Sequence, residues 1–495
     1  MSFREMAPDS VVGLSLTVAI GSLVGHVLYR AFFDALRGIP GPLVCRITSF
    51  WTYYHSYIGD ESSRINELHA RYGPVVRIAP NEVSFSDGAA LAPIYSEKGG
   101  FLKAPCYSNF DIEGHSTIFS TRDNGHRAVR SKAVVPVFSM SNLRSGNDTI
   151  EGCVGAMIAR VKKEAAESCA ASKNSGQPVP VDMLNIARSL AVDAVSSYLF
   201  GQTFGGVGEG TGKMSANAYV DTLVAVGRFF FLPNWMFLAL ELSRQKLWPD
   251  KAEDASTLKV DGFVSKLVHG SSKDDSTYQG RLIKAGLSTH EIEVQCKDLL
   301  FAGTDSTGTN LSTICWHLAK CPESYAKLRK EIAEADAKDP SYNPQSLRYL
   351  DAVVREGLRV SMANPTRFPR MVPPQGFSFE ASNGQHFFIP AGTQVGLQPF
   401  TLHLNPKVFP DPLTFTPERW LDDVTPEMQR DWIPFGLGAR QCIARNLASM
   451  ELVLAVRAIA RDNVLEGAQA VGEQIEMMEW FNSKIKGEKM ELVWQ

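Results

Sequence analysis

The run Phe435-Gly436-Leu437-Gly438-Ala439-Arg440-Gln441-Cys442-Ile443-Ala444 constrains this chain more than any other feature. It reads F-x-x-G-x-R-x-C-x-A and sets a thiol between a turn and a helix. Gly438 permits a tight turn where a side chain would clash, and Arg440 adds a fixed positive charge. Ile443, Leu447, Met450 and Leu454 share one face, so the spacing predicts a helix over 443–461. A cysteine at a helix N-terminus receives backbone N–H donors and the positive end of the dipole. Both favour the thiolate, the form that binds metals. A single cysteine before a core helix is more often a buried structural residue. Four positions agreeing in order and spacing point instead to a thiolate held as a metal ligand.

Charge balance excludes dedicated nucleic-acid binding. Fifty basic residues face 53 acidic ones, a net charge of −3, with no basic excess to neutralise phosphates. Eight cysteines are too sparse for a disulfide scaffold in a chain of 495 residues. Cys45, Cys106, Cys153, Cys169, Cys296, Cys315 and Cys321 form no CxxC pair, so no zinc site is predicted. Val11 to Tyr29 reads VVGLSLTVAIGSLVGHVLY, uncharged and just long enough to span a bilayer. The basic region of a cleaved signal is weak, since Glu5 offsets Arg4, and no clear small-x-small cleavage site follows. Arg30, Arg37 and Arg46 come after the apolar run, and positive flanks stay cytosolic. Residues 1–30 are therefore expected to be a membrane anchor, with the body cytosolic. Pro40, Gly41 and Pro42 stop the helix, giving an expected stiff, proline-rich hinge over 31–45 and a single domain over 46–495. The sequons at Asn147 and Asn310 are silent on a cytosolic body.

Helical periodicity dominates that body, in 151–169, 182–200, 288–320, 322–337, 345–359 and 443–461. Strand patterns are short: 75–78 with 82–85, then 377–379, 387–389 and 393–397, separated by Asn383-Gly384 and Pro390-Ala391-Gly392. Segments 203–216 and 270–282 are polar and rich in Gly and Ser, and read as surface loops. The fold class is mainly α with a small β portion. From Ser288 to Lys320 the pattern is one helix, roughly 50 Å long. Ser288 and Glu291 form a capping-box candidate, and Pro322 marks the stop. Its middle, Ala302-Gly303-Thr304-Asp305-Ser306-Thr307-Gly308-Thr309, is a poor helix former. Its two glycines cost about 1 kcal/mol each against alanine. Small residues there allow a second helix to approach, or leave room for a ligand.

Together the two segments resemble the cytochrome P450 family, the first its proximal haem loop and the second its oxygen-binding groove, [A/G]-G-x-[D/E]-T. The resemblance implies a single haem domain behind an N-terminal transmembrane helix. It implies haem b with Cys442 as the axial iron ligand, Phe435 packed beside the sulfur and Arg440 on a propionate. Ala302 and Gly303 would make room for dioxygen, with Asp305, Ser306 and Thr307 supporting proton delivery. Two positions depart from the pattern: Ala444 replaces the usual Gly two residues after the Cys, and Ser306 replaces the usual Thr. Ser keeps the hydroxyl but loses the methyl that fixes its rotamer. Glu356-x-x-Arg359 and Pro417-Glu418-Arg419-Trp420 resemble the family's ExxR and PERF segments, which implies a buried Glu356–Arg359–Arg419 triad. His126-x-x-x-Arg130 resembles a W-x-x-x-R helix, with His126 for Trp. It and Phe368-Pro369-Arg370 imply that Arg130, Arg370 and His126 meet the propionates.

The function so implied is monooxygenation: one oxygen atom from O2 enters an apolar small molecule, with electrons derived from NADPH. Arg71 to Glu82 looks like filamentous-fungal microsomal members, which implies a terpenoid, alkaloid or polyketide substrate in secondary metabolism. A separate NADPH–cytochrome P450 reductase, with cytochrome b5 as a further donor, is the implied partner, on the endoplasmic reticulum membrane. Arg127, Arg130, Lys132, Arg440 and Arg445 are candidates for a basic docking face. Substrate contacts are expected from 106–119, the middle of the long helix and 362–368. The aromatic run 228–237 is either core or a bilayer-dipping segment. A haem-thiolate isomerase or dehydratase and a xenobiotic or fatty-acid hydroxylase are the alternatives.

Overall fold

The computed structural model describes residues 8–210 and 212–494; residues 1–7 of the expected anchor, Thr211 of the expected 203–216 loop and Gln495 lie outside them. Helices dominate. In chain order those that matter are α1 (Pro8–Phe32), α2 (Asn124–Val134), α3 (Asn147–Ser175), α4 (Met183–Phe200), α5 (Asn217–Val226) and α6 (Asn234–Leu247). They are followed by α7 (Lys251–His269), α8 (Thr289–Lys320), α9 (Pro322–Lys338), α10 (Arg348–Val360) and α11 (Arg445–Arg461). Side-chain caps explain several starts. Asp123 accepts from the Gly125 and His126 amides at the head of α2, and Asp182 from Leu184 and Asn185 at the head of α4. Ser288 caps α8 as expected, accepting from the Glu291 amide at 3.3 Å. The box is only half closed, because the Glu291 carboxylate turns to Arg130 instead.

A five-stranded sheet lies to one side, built from β1 (Val75–Ala79), β2 (Glu82–Phe85), β3 (Leu102–Lys103), β4 (Arg370–Met371) and the last strand, Gln394–Leu397. The last strand runs parallel to β2, with Val83 opposite Val395, and antiparallel to β4. Phe377–Glu380 and His386–Ile389 form the expected hairpin. A further small sheet of Val181–Asp182, Ala468–Ala470 and Glu491–Trp494 carried no clear alternation in the sequence. The largest apolar core gathers around α4, α8 and α11. α4 is buried on nearly every side, and its polar side chains are paired: Asp193, for example, accepts from the Gly205, Gly206 and Val207 amides.

Two expectations change. The segment 270–282 is not all loop: Tyr278–Lys284 is helical, and Tyr278, Gln279 and Leu282 are buried. The helix after Cys442 begins at Arg445, not 443. The stiff segment expected over 31–45 lies packed on the body. Leu36 and Ile39 are buried, Asp34 takes Arg77 at 2.5 Å, and the Arg77 amide donates to the Pro40 carbonyl at 2.7 Å. A Cβ on Gly41 would stand 2.3 Å from the Arg77 carbonyl oxygen, so glycine lets this segment lie flat on β1. Among the described residues, α1 is the helix long and apolar enough to cross a membrane; Val12–Arg30 has mean hydropathy 1.7 and is not buried.

Glu356 locks α10 to the chain that follows. Arg359 meets both its oxygens at 2.8 and 2.9 Å, Arg419 donates at 2.9 Å, Trp420 Nε1 at 2.9 Å and the Thr416 amide at 3.0 Å. Burial alone would raise the Glu356 carboxyl, but these donors outweigh it and hold the group below its ordinary 4.5. Its stabilising effect is complete above that ordinary value and disappears as pH falls through the lower folded one. Glu356→Ala strands Arg359 in the interior and is expected to cost about 3–5 kcal/mol in urea unfolding at pH 7. An unchanged midpoint would contradict this.

Candidate active site

A cavity of about 600 Å³ opens between α8, the loop 107–119, α5 and the segment 434–448. Cys442 lies on its wall. The sulfur is exposed, yet the surface it exposes faces this cavity and protein surrounds it on every other side. The preceding turn forms as the glycine predicted: Gly438 has φ +73°, and a Cβ there would meet the Tyr95 carbonyl oxygen at 1.9 Å. The Cys442 amide donates to the Phe435 carbonyl at 2.9 Å, and Phe435 lines the cavity beside it. Burial pushes the metal-free thiol up, while the Ala444 amide and Arg445 pull it down.

Facing the sulfur side, α8 presents Ala302, Gly303, Ser306 and Thr307 to the same cavity. Ala302 is exposed there although Phe301 and Thr304 on either side are buried. Gly303 serves two neighbours. It borders the cavity, but its missing Cβ would strike Val195 of α4 at 2.6 Å, and that of Gly308 would strike Arg188 at 2.5 Å. The small residues thus admit α4, and Ala302 is the one that clears space over the cavity. Ser306 Oγ donates to the Ala302 carbonyl at 2.7 Å. Asp305 points away from the cavity: Arg188 Nη2 holds it at 2.6 Å, and Asn482 Nδ2, which does line the cavity, reaches it at 3.4 Å. Arg188 also binds Asp221 at 2.9 Å; burial would lower this guanidinium, but the two carboxylates keep it charged.

Positive charge gathers at the cavity's other wall. Lys103, Arg127, Arg370 and Arg440 all line it, and none has a carboxylate within 4 Å among the described residues. Arg440 donates to Asn124 at 2.9 Å, leaving a buried Nη1 with no partner. Burial and the neighbouring Arg127 and Arg370 lower Arg440 to about 10. Burial, with the same crowd of cations, drives Lys103 well down too. The residues expected here divide. Arg370 and Arg440 line the cavity, whereas Arg130 is turned onto Glu291 and His126 stands 3.8 Å from the same carboxylate, both off the cavity. From α2 it is Arg127 that lines the cavity. Because Asp123 caps α2, the helix phase carries position 127 inward and position 130 toward α8.

Expected linings from 106–119 and 362–368 are present in Tyr107, Phe110, Phe119, Asn364 and Phe368. Sequence reasoning missed Val195, Leu199, Tyr219, Leu223 and Phe481. Ordinary core periodicity hides the first four; Phe481 lies in a C-terminal loop with no pattern at all.

The cytochrome P450 family model matches residues 40–462. The chain belongs to the cytochrome P450 family. It is 38% identical to the cytochrome P450 monooxygenase mfmF of Annulohypoxylon moriforme over 97% of this chain and 99% of that protein. With the cytochrome P450 monooxygenase hepC of Aspergillus oryzae it shares 30% identity over 89% of each chain. The crystal structure of a cytochrome P450, CYP102L1, shares the fold with a TM-score of 0.66 at 17% identity, covering 88% of this chain and 94% of that one. The protein is accordingly an oxygen-incorporating oxidoreductase, a haem-thiolate monooxygenase.

The residues present fit the haem that a cytochrome P450 implies. A sulfur faces the cavity, and on its wall Lys103, Arg127, Arg370 and Arg440, with no carboxylate within 4 Å among the described residues, could hold two propionates. Arg440→Met tests this fit without any turnover. It should stabilise the haem-free chain by about 1 kcal/mol by relieving repulsion, and speed haem loss from the loaded chain about tenfold. Arg130→Gln should leave haem loss unchanged. Melting curves and haem transfer to apomyoglobin read both.

Proposed function

We propose that the Cys442 thiolate ligates the iron of haem b, with Lys103, Arg127, Arg370 and Arg440 around the propionates. The single observation that carries this is the cysteine facing a cavity whose wall also carries those basic side chains, none with a carboxylate within 4 Å among the described residues. Bound there, a haem supplies reductive activation of O2, placing one oxygen atom in a substrate C–H bond and releasing the other as water. Phe435 shields the sulfur, and Gly438 holds the turn that aims it. Across the cavity, Ser306 keeps its proton on the Ala302 carbonyl and can rotate it toward the cavity without the methyl constraint of threonine. Asp305 stands behind it, tied to Arg188, with Asn482 as the bridge to the cavity. Thr307 is the second hydroxyl on that wall.

The cavity's Phe110, Ile118, Phe119, Leu223, Phe301 and Phe481 suit an apolar, multi-ring substrate. A terpenoid, alkaloid or polyketide of secondary metabolism has such an apolar, multi-ring body. Two electrons come from NADPH through a separate reductase, with cytochrome b5 as an additional donor. The body sits on the cytosolic side of the endoplasmic reticulum membrane. Support for that placement comes from α1 and from its surroundings. His26 of α1 bonds the Ile47 carbonyl at 3.1 Å, next to exposed Leu43 and Phe50. Tyr57 meets Phe229 at 5.8 Å, and beyond it α6 exposes Trp235 (71%), Leu238 and Leu242 (66%) on one face. The aromatic run is therefore divided, with Phe230 and Phe237 buried and Trp235 free for lipid.

Three experiments test this. The reduced, carbon monoxide-bound protein should show the haem-thiolate band, Cys442→Ala should abolish it, and labelled O2 should enter product. Ser306→Ala should divert roughly tenfold more NADPH-derived electrons to peroxide, the order contributed by one positioned proton donor; unchanged coupling removes Ser306 from the mechanism. In a chain lacking residues 1–30, Trp235→Ser with Leu242→Ser should cut vesicle binding by at least about tenfold. Undiminished pelleting would take α6 off the membrane.

A further inference from the structure

Five carboxylates line the cavity, and four of them are matched by the protein. Glu113 takes Lys297 at 2.6 Å, Glu241 and Glu253 share Arg244, and Asp111 accepts from Ser116 and Ser120. The fifth, Asp298, has no cation within 4 Å among the described residues. The Thr117 hydroxyl reaches it and Lys103, on the same cavity wall, acts on it through space, which leaves acceptor sites open on a group that has about four. It is half-buried, and burial pushes it up to about 6 while Thr117 and Lys103 pull it down. Tyr219, which lines the same cavity, has a buried hydroxyl with no partner among the described residues. An apolar cavity with one unmatched carboxylate is built to receive a donor.

We propose that Asp298 anchors a hydrogen-bond-donating group of the substrate, a hydroxyl or a protonated amine, with Tyr219 beside it. The inference rests on the haem-thiolate reading of Cys442 and adds a class to its substrate: an apolar body bearing one donor. Position sets a second consequence. Asp298 and Ala302 are four residues apart on α8, hence about 6 Å along its axis. Oxygen therefore enters at a carbon remote from the anchored group, not at the carbon that carries it.

Three probes of one shape separate the cases: phenylcyclohexane, 4-phenylcyclohexanol and N,N-dimethyl-4-phenylcyclohexylamine. Each is titrated into the haem-loaded full chain and followed by the shift of the Soret band. The natural chain should bind the alcohol and the amine at least about tenfold tighter than the hydrocarbon, a difference of about 1.4 kcal/mol. Asp298→Leu should erase both preferences while leaving hydrocarbon binding equal or tighter. Asp298→Asn, which keeps the volume and an acceptor oxygen, should retain the alcohol preference and lose that for the amine. Equal binding of all three probes by the natural chain overturns the proposal, as do preferences that persist in Asp298→Leu. If Asp298→Leu takes up no haem, Asp298→Asn decides, and a persisting amine preference overturns it. A natural chain without the haem-thiolate band sinks the parent reading; a normal band with flat preferences sinks only Asp298.

Discussion

Close approach of α4 and α8, made possible by Gly303 and Gly308, sets the geometry on which the rest of the cytochrome P450 body depends. With a side chain at either position the two helices would separate, and the wall that carries Ala302 and Ser306 would move with them. The contact is also electrostatic. Arg188 of α4 crosses it to Asp305 of α8 and on to Asp221 of α5, so three helices share one buried guanidinium. A helix with a poor intrinsic propensity is thus held by tertiary contact, which outweighs propensity in most globular helices.

Charge is treated in two opposite ways within the same fold. Around Glu356 every oxygen is occupied, and the network behaves as a lock with no role left for a ligand. Around Arg440 the protein gathers Arg127, Arg370 and the Lys103 amine, with no carboxylate within 4 Å among the described residues. A satisfied buried network specifies structure; an unsatisfied one specifies what must bind. The same distinction separates Asp111 and Glu113, matched by serines and lysine, from Asp298.

Much of this was legible in the chain itself, and the reasons differ by element. The long helix was readable because Ser288 and Pro322 mark its ends; Cys442 and Gly438 because a turn and a thiol need those residue types. The triad was readable because ExxR and the later arginine resemble a family pattern, and the geometry brings Glu356, Arg359 and Arg419 within 3 Å contacts. Arg130 lies off the cavity because a motif fixes spacing, while the facing direction depends on where the Asp123 cap starts the helix. Lys103, Tyr219 and Phe481 were illegible because they reach the cavity from distant segments whose local patterns say only strand, helix or loop. The strands of 468–494 escaped because they are two to four residues long and lack alternation.

Arg77 has a further bearing on how the molecule works at a surface. A wholly buried guanidinium takes Asp34, just past α1, and the same strand residue fastens Pro40 through its amide. His26 adds a bond from within α1 to Ile47. The N-terminal helix is therefore bolted to the sheet like a mast to a deck, not moored by a slack line. Swivelling of α1 against the body is restricted, so the two turn as one piece.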